Sequence, residues 1–156
     1  MLSRWFGLCS ILATLLCGGV GTSLLSACGS DDEPVLMQIE SGSDARPTWP
    51  DINFNFYEQV MCVEVQLQDT LQSYASQADL MCATIGGACR GVASPQQVNG
   101  QWLFPLIVAS NEDGVSVSLS YYCDRLHRIF TTEWTTFDAT VSPTGTTAIY
   151  KPEFVK

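Results

Sequence analysis

Apolar and polar residues alternate along most of the chain beyond residue 54, and the period is two. Met61, Val63, Val65 and Leu67 share one face of a segment whose other face carries Cys62, Glu64, Gln66 and Gln68. That is the pattern of a strand buried on one side. Leu80–Ile85 and Ala88–Ala93 flank Gly86-Gly87, a pair able to adopt the positive φ angles of a two-residue hairpin turn. Asn99-Gly100 is a second such signal. It opens 101–108, apolar on both faces and therefore central, with Trp102 in the core and Pro105 at a bulge or an unpaired position. Asn111-Glu112-Asp113-Gly114 then turns the chain into 115–123, where Val115, Val117, Leu119 and Tyr121 alternate with Ser116, Ser118, Ser120 and Tyr122. Residues 129–132 predict a further strand, and 137–150 one or two more, interrupted at Pro143-Thr144-Gly145. Only 66–79 leans towards a helix, and its Ser73, Tyr74 and Ser76 favour an elaborate loop. Six to eight short strands at this spacing predict an all-β fold, an immunoglobulin-like antiparallel β-sandwich over residues 54–156.

The amino-terminal residues follow a different pattern. A single positive charge, Arg4, precedes an apolar stretch that ends in Leu25-Ser26-Ala27-Cys28, the layout of a secretory leader with a small-residue cleavage site. Residues 5–27 are also long enough to span a bilayer as one helix. Gly18, Gly19 and Gly21 weaken such a helix and favour the leader. The tetrad resembles the lipobox of bacterial lipoproteins, which implies a signal peptide over residues 1–27 and a mature chain that begins at a lipidated Cys28. Cys17 is the other candidate acceptor, but Leu16 stands before it where Ala27, a small residue, stands before Cys28. Each buried methylene of an acyl chain contributes about 0.8 kcal/mol, so several chains hold the protein at the membrane.

Residues 28–53 have linker composition, with Pro34, Pro47, Pro50 and several Gly and Ser and no sustained period. As a coil this segment would reach roughly 25–30 Å. Its start, Gly29-Ser30-Asp31-Asp32-Glu33, resembles the export signal of Bacteroides-type surface lipoproteins and so implies an outer-membrane, cell-surface location. A solvated charge run on a periplasm-facing anchor is the alternative.

The chain carries 16 acidic and 7 basic residues for a net charge of −9. Nucleic acid is thereby a poor partner, because phosphate binding requires a positive stripe. Catalytic constellations are thin. His127, the single histidine, lies in a charged turn with Arg125 and Arg128, which leaves no His-based metal cage and no motif for a triad. Asp31-Asp32-Glu33 lacks the spaced ligands of a calcium loop. The sequence therefore predicts no enzyme, no cofactor and no metal. Arg90 is expected to pair with Asp79 or Glu64 across strands, with ligand binding as the alternative. Trp134, flanked by Glu133, Thr135 and Thr136, is the aromatic most open to contact with a ligand such as a pyranose ring.

Four cysteines remain after the anchor: Cys62, Cys82, Cys89 and Cys123. An even number in an oxidising compartment allows three pairings. A regular Gly86-Gly87 hairpin puts Cys82 and Cys89 on one face but diagonally offset, beyond the ~3.8 Å that disulfide Cβ atoms prefer, so pairings through Cys62 or Cys123 are at least as good. Four buried free thiols are the other outcome.

The run Asp79-Leu80-Met81-Cys82-Ala83-Thr84-Ile85-Gly86-Gly87-Ala88-Cys89-Arg90-Gly91-Val92-Ala93, followed by Asn99-Gly100 and by Leu119-Ser120-Tyr121-Tyr122, resembles a β-sandwich module of secreted and surface proteins of Bacteroides-type bacteria. The module's hairpin reads like GAFVGDECRGVA. Thr84 replaces its aromatic and Gly87 its acidic turn residue, while Cys82 and Cys123 are additional. The resemblance implies a sandwich over about residues 55–150 and no active site. Two functional classes follow: a surface binding or adhesion module for glycan, host protein or a partner subunit, and a structural or accessory lipoprotein without a ligand.

Overall fold

Period-two patterning becomes two stacked four-stranded sheets. The computed structural model describes residue 39, residues 41–141 and residues 149–155. The leader, the lipidation candidate Cys28 and the acidic run 31–33 lie outside the described residues. Among those described, no helix is long and apolar enough to cross a membrane.

The strands are β1 (Gln59–Gln66), β2 (Leu80–Ile85), β3 (Ala88–Ala93), β4 (Gln96–Val98), β5 (Gln101–Ser110), β6 (Ser116–Cys123), β7 (Arg128–Thr136) and β8 (Ile149–Tyr150). One sheet runs β4-β5-β1-β8 and the other β3-β2-β6-β7. All neighbours are antiparallel except β1 and β8, which are parallel. The protein is an all-β sandwich of two packed, mostly antiparallel sheets.

Alternation decides what lies between the sheets. Met61, Val63 and Val65 of β1 and Phe104, Leu106 and Val108 of β5 meet Met81 and Ala83 of β2 and Val117, Leu119 and Tyr121 of β6. Tyr121 is the hub. Its ring meets Phe104 edge-on at 5.6 Å, stacks on Phe130 at 6.0 Å and tilts against Phe154 at 5.7 Å, a set of aromatic contacts that adds to the burial itself.

Both hairpin signals act as expected. Gly86 and Gly87 have φ of 58° and 79°, and Asn99 and Gly100 have φ of 50° and 80°, so each pair makes a turn with two positive φ angles. The second turn also folds 96–98 back as β4, a strand of three exposed residues with too little apolar content to show in the pattern.

Three expectations are corrected. The segment 137–150 forms only the two-residue β8 among its described residues; Pro143–Gly145 lies outside them. After the buried Phe137 the chain leaves the sheet at Asp138, whose carboxylate accepts from the backbone N–H of Thr140 at 2.8 Å and from its hydroxyl at 2.6 Å. The Asx turn satisfies locally the groups a strand would pair.

Second, the loop 66–79 holds one helical turn, α1 (Asp69–Gln72). Gln72 extends its amide to the backbone of Trp102, accepting from its N–H at 2.9 Å and donating to its carbonyl at 3.1 Å. Trp102 is thus only half-buried at the edge of the core, not within it.

Third, the linker stops being free well before residue 53. Although irregular, it is strapped to the domain: Gly42 N–H donates to the Leu126 carbonyl at 2.7 Å, and Asp44 N–H to that of His127 at 2.8 Å. The Asp44 carboxylate accepts from Ile129 N–H at 2.8 Å. Arg46 donates to the Ala78 carbonyl and lies 5.9 Å above the Tyr122 ring. These are backbone and side-chain pairings that composition does not encode.

Candidate functional site

The outward faces of the two sheets differ in chemistry. On β6 and β7 the outward positions pair Ser116 with Thr136, Ser118 with Glu133 and Ser120 with Thr131, a hydroxyl-rich surface. On the other sheet the outward positions include Val98 of β4, Leu103, Pro105 and Ile107 of β5, Cys62 of β1 and Ile149 of β8. The register makes Pro105, Ile107 and Ile149 neighbours: Pro105 pairs with Glu64, which pairs with Ile149, and Ile107 pairs with Cys62 in the adjacent row, while Val98 pairs with Gln101 at the far end of β5 beyond the buried Leu103. Val98 and Ile107 are 44% exposed and Ile149 58%. Gln66, Gln96 and Gln101 complete the face, so Glu64 is the charge it carries among the paired strand positions. Sequence inspection missed this surface because 101–108 reads as apolar on both sides, which in a sandwich also describes a strand with one oily face turned to solvent.

Asp79 is fully buried and makes no ion pair with Arg90, contrary to expectation. Its carboxylate accepts four hydrogen bonds: from the Ser76 N–H at 3.0 Å and hydroxyl at 2.9 Å, from the Tyr121 hydroxyl at 2.7 Å, and from Asp124 N–H at 3.0 Å. Burial above all, and then the Asp79 carboxylate, push the Tyr121 phenol far above its ordinary range, which keeps it a donor. With all its neighbours committed and no accessible surface, Asp79 ties the loop before β2 to the end of β6.

Arg90 pairs instead with Tyr57: its guanidinium donates to the phenol oxygen and sits 4.9 Å from the ring centroid. Glu64, the other expected partner, lies on the outer face of the opposite sheet. Arg90 is the extra residue of a β-bulge. Thr84 pairs with Cys89 but Ala83 pairs with Gly91, leaving Arg90 between them and re-aimed by the local kink. It lines a small recess of about 180 Å³ with Ile85, Ser110, Asn111, Glu112 and Val115. Its Nε is buried without a hydrogen-bond partner.

His127 is exposed and left-handed, with φ of 46°, and its carbonyl receives the strap at Asp44. Trp134 is half-buried and meets Tyr150 edge-on at 5.3 Å, so part of the ring proposed as a ligand contact closes the sandwich beside β8. Trp134→Ala should lower stability by about 2 kcal/mol in urea unfolding, part of what a fully buried ring costs. An unchanged midpoint would show that the ring is free for another task.

In the structure Cys62, Cys82, Cys89 and Cys123 are drawn as thiols, with the Cys82 and Cys89 sulfur atoms 3.0 Å apart. Burial is the main cause that raises the thiol pKa of Cys62, Cys82 and Cys123. Among the described residues no group of three His, Cys, Asp or Glu side chains is placed to hold a metal ion. Compared with protein families, curated proteins and solved structures, the chain matches none.

Proposed function

We propose that the protein is a lipid-anchored binding or adhesion module of the outer-membrane surface, acting without catalysis and without a cofactor. The observation that supports this reading is the partly apolar outer face of the β4-β5-β1-β8 sheet, which carries Glu64 as its one charge among the paired strand positions and leaves Val98, Pro105, Ile107 and Ile149 open to solvent. Exposed aliphatic side chains on one sheet face fit a protein partner, whether host protein or partner subunit, better than a glycan, for which an exposed aromatic platform is the usual contact. The lipobox-like Leu25–Cys28 and the acidic run behind it support the anchor and the location.

Cells displaying the protein test it. Ile107→Asp combined with Val98→Asp should leave the unfolding midpoint within the ~0.5 kcal/mol typical of surface changes. It should also reduce adherence to immobilised host-matrix proteins at least tenfold. In parallel, Cys28→Ser should abolish incorporation of labelled fatty acid, and protease added to whole cells should degrade the wild type. Unchanged adherence of the double variant would move the protein to the second reading, a structural or accessory lipoprotein with no ligand of its own. Protection from protease until lysis would place the domain in the periplasm.

A further inference from the structure

We propose that Cys82 and Cys89 form a disulfide across the bulged β2–β3 hairpin, and that Cys62 and Cys123 remain thiols. The two sulfur atoms stand 3.0 Å apart, one short side-chain adjustment from the ~2.0 Å of a bond. Cys82 alternates with Met81 and Ala83, which face the core, and therefore points outward, as does Cys89 opposite Thr84. A regular two-residue hairpin would leave this pair on a long diagonal. Here the two sulfur atoms nonetheless meet across that diagonal, beside the bulge that kinks β3 at Arg90.

The same register excludes the other pairings. Cys62 lies on the outer face of the opposite sheet, beyond a layer about 10 Å thick. Cys123 faces the core, three residues along β6 from Ser120, the partner of Cys82, and hence about 10 Å along the strand on the wrong side of the sheet. Disulfide Cα atoms must come within about 7 Å.

The chemistry is thiol–disulfide exchange with an external disulfide as oxidant. Cys89, which is half-exposed, loses its proton and attacks one sulfur of the oxidant, expelling a thiolate. Cys82 then loses its proton and attacks the Cys89 sulfur of the mixed disulfide, releasing the second thiolate. Two S–H bonds and the oxidant's S–S bond are exchanged for one S–S bond in the protein and two external thiols, and two electrons pass to the oxidant.

The experiment uses the mature protein incubated with excess oxidised glutathione, unfolded in denaturant with iodoacetamide and mapped by peptide mass. Cys62 and Cys123 should carry the adduct at once, and Cys82 and Cys89 only after reduction, their unreduced peptide being two mass units lighter. In Cys89→Ser, Cys82 should become alkylated without reduction. Alkylation of Cys82 and Cys89 in the unreduced wild type, or a bridge from either to Cys62 or Cys123, overturns the assignment.

Discussion

Replacing Asp79 with alanine should destabilise the domain by about 3–5 kcal/mol, the range for stripping a buried charged group from its hydrogen-bonded partners. The carboxylate is the shared acceptor of four donors on three segments. Its loss strands the Tyr121 hydroxyl, which has no surface exposed to water, and frees the loop that carries α1. Tyr121→Phe removes one donor and leaves three, and should cost only about 1 kcal/mol, the usual net worth of one such bond. Chemical unfolding of the two variants side by side checks the ordering. If Tyr121→Phe proves as damaging as Asp79→Ala, the aromatic packing and not the carboxylate holds this end of the sandwich.

Gly91→Ala should cost about 3 kcal/mol, the upper part of the overpacking range. The residue's φ is not in the left-handed region, so the demand for glycine is one of space. A Cβ there would collide with the Ile107 carbonyl oxygen and stand 3.1 Å from its carbonyl carbon. Those atoms belong to β5, in the other sheet. The methyl group would therefore push the edge strand β3 away from the sheet it closes on, and backbone cannot yield as a side-chain tip can. Gly87→Ala is the contrast: nothing lies within 4 Å of its Cβ position, and its cost arises only from φ of 79°, about 1 kcal/mol or somewhat more. Thermal unfolding should separate the pair by several degrees, since a domain of this size loses very roughly 4 °C per kcal/mol. Equal midpoints would mean that the β3–β5 approach relaxes freely.

The sandwich was legible where local chemistry and tertiary demand coincide. The Gly86-Gly87 hairpin and β6 carry their turn residues and alternation on the chain itself, and their predicted limits match the strands within a residue. β4 was not, because its three exposed residues owe their pairing to the Asn99-Gly100 turn and to β5 rather than to their own composition. Nor was the strap at 41–46, whose Gly, Ser and Asp residues match a free coil in type and differ only in having partners. At the candidate site the decisive feature is the bulge. Arg90 is unpaired between Cys89 and Gly91, and no residue type in that run announces an extra position. The outer face of β5 was hidden by ambiguity, since Leu103, Pro105 and Ile107 read the same whether a second layer covers them or not.

The strap also determines how the domain bears mechanical load. A pull on the chain ahead of Ser41 meets the Gly42 and Asp44 hydrogen bonds to 126–127 and the Asp44 grip on Ile129 before it reaches any strand. These few bonds can yield one after another while the sheets, joined by longer ladders, remain intact. A pull applied from the amino-terminal side would therefore first peel residues 42–44 from the β6–β7 turn, a sacrificial joint in series with the sandwich.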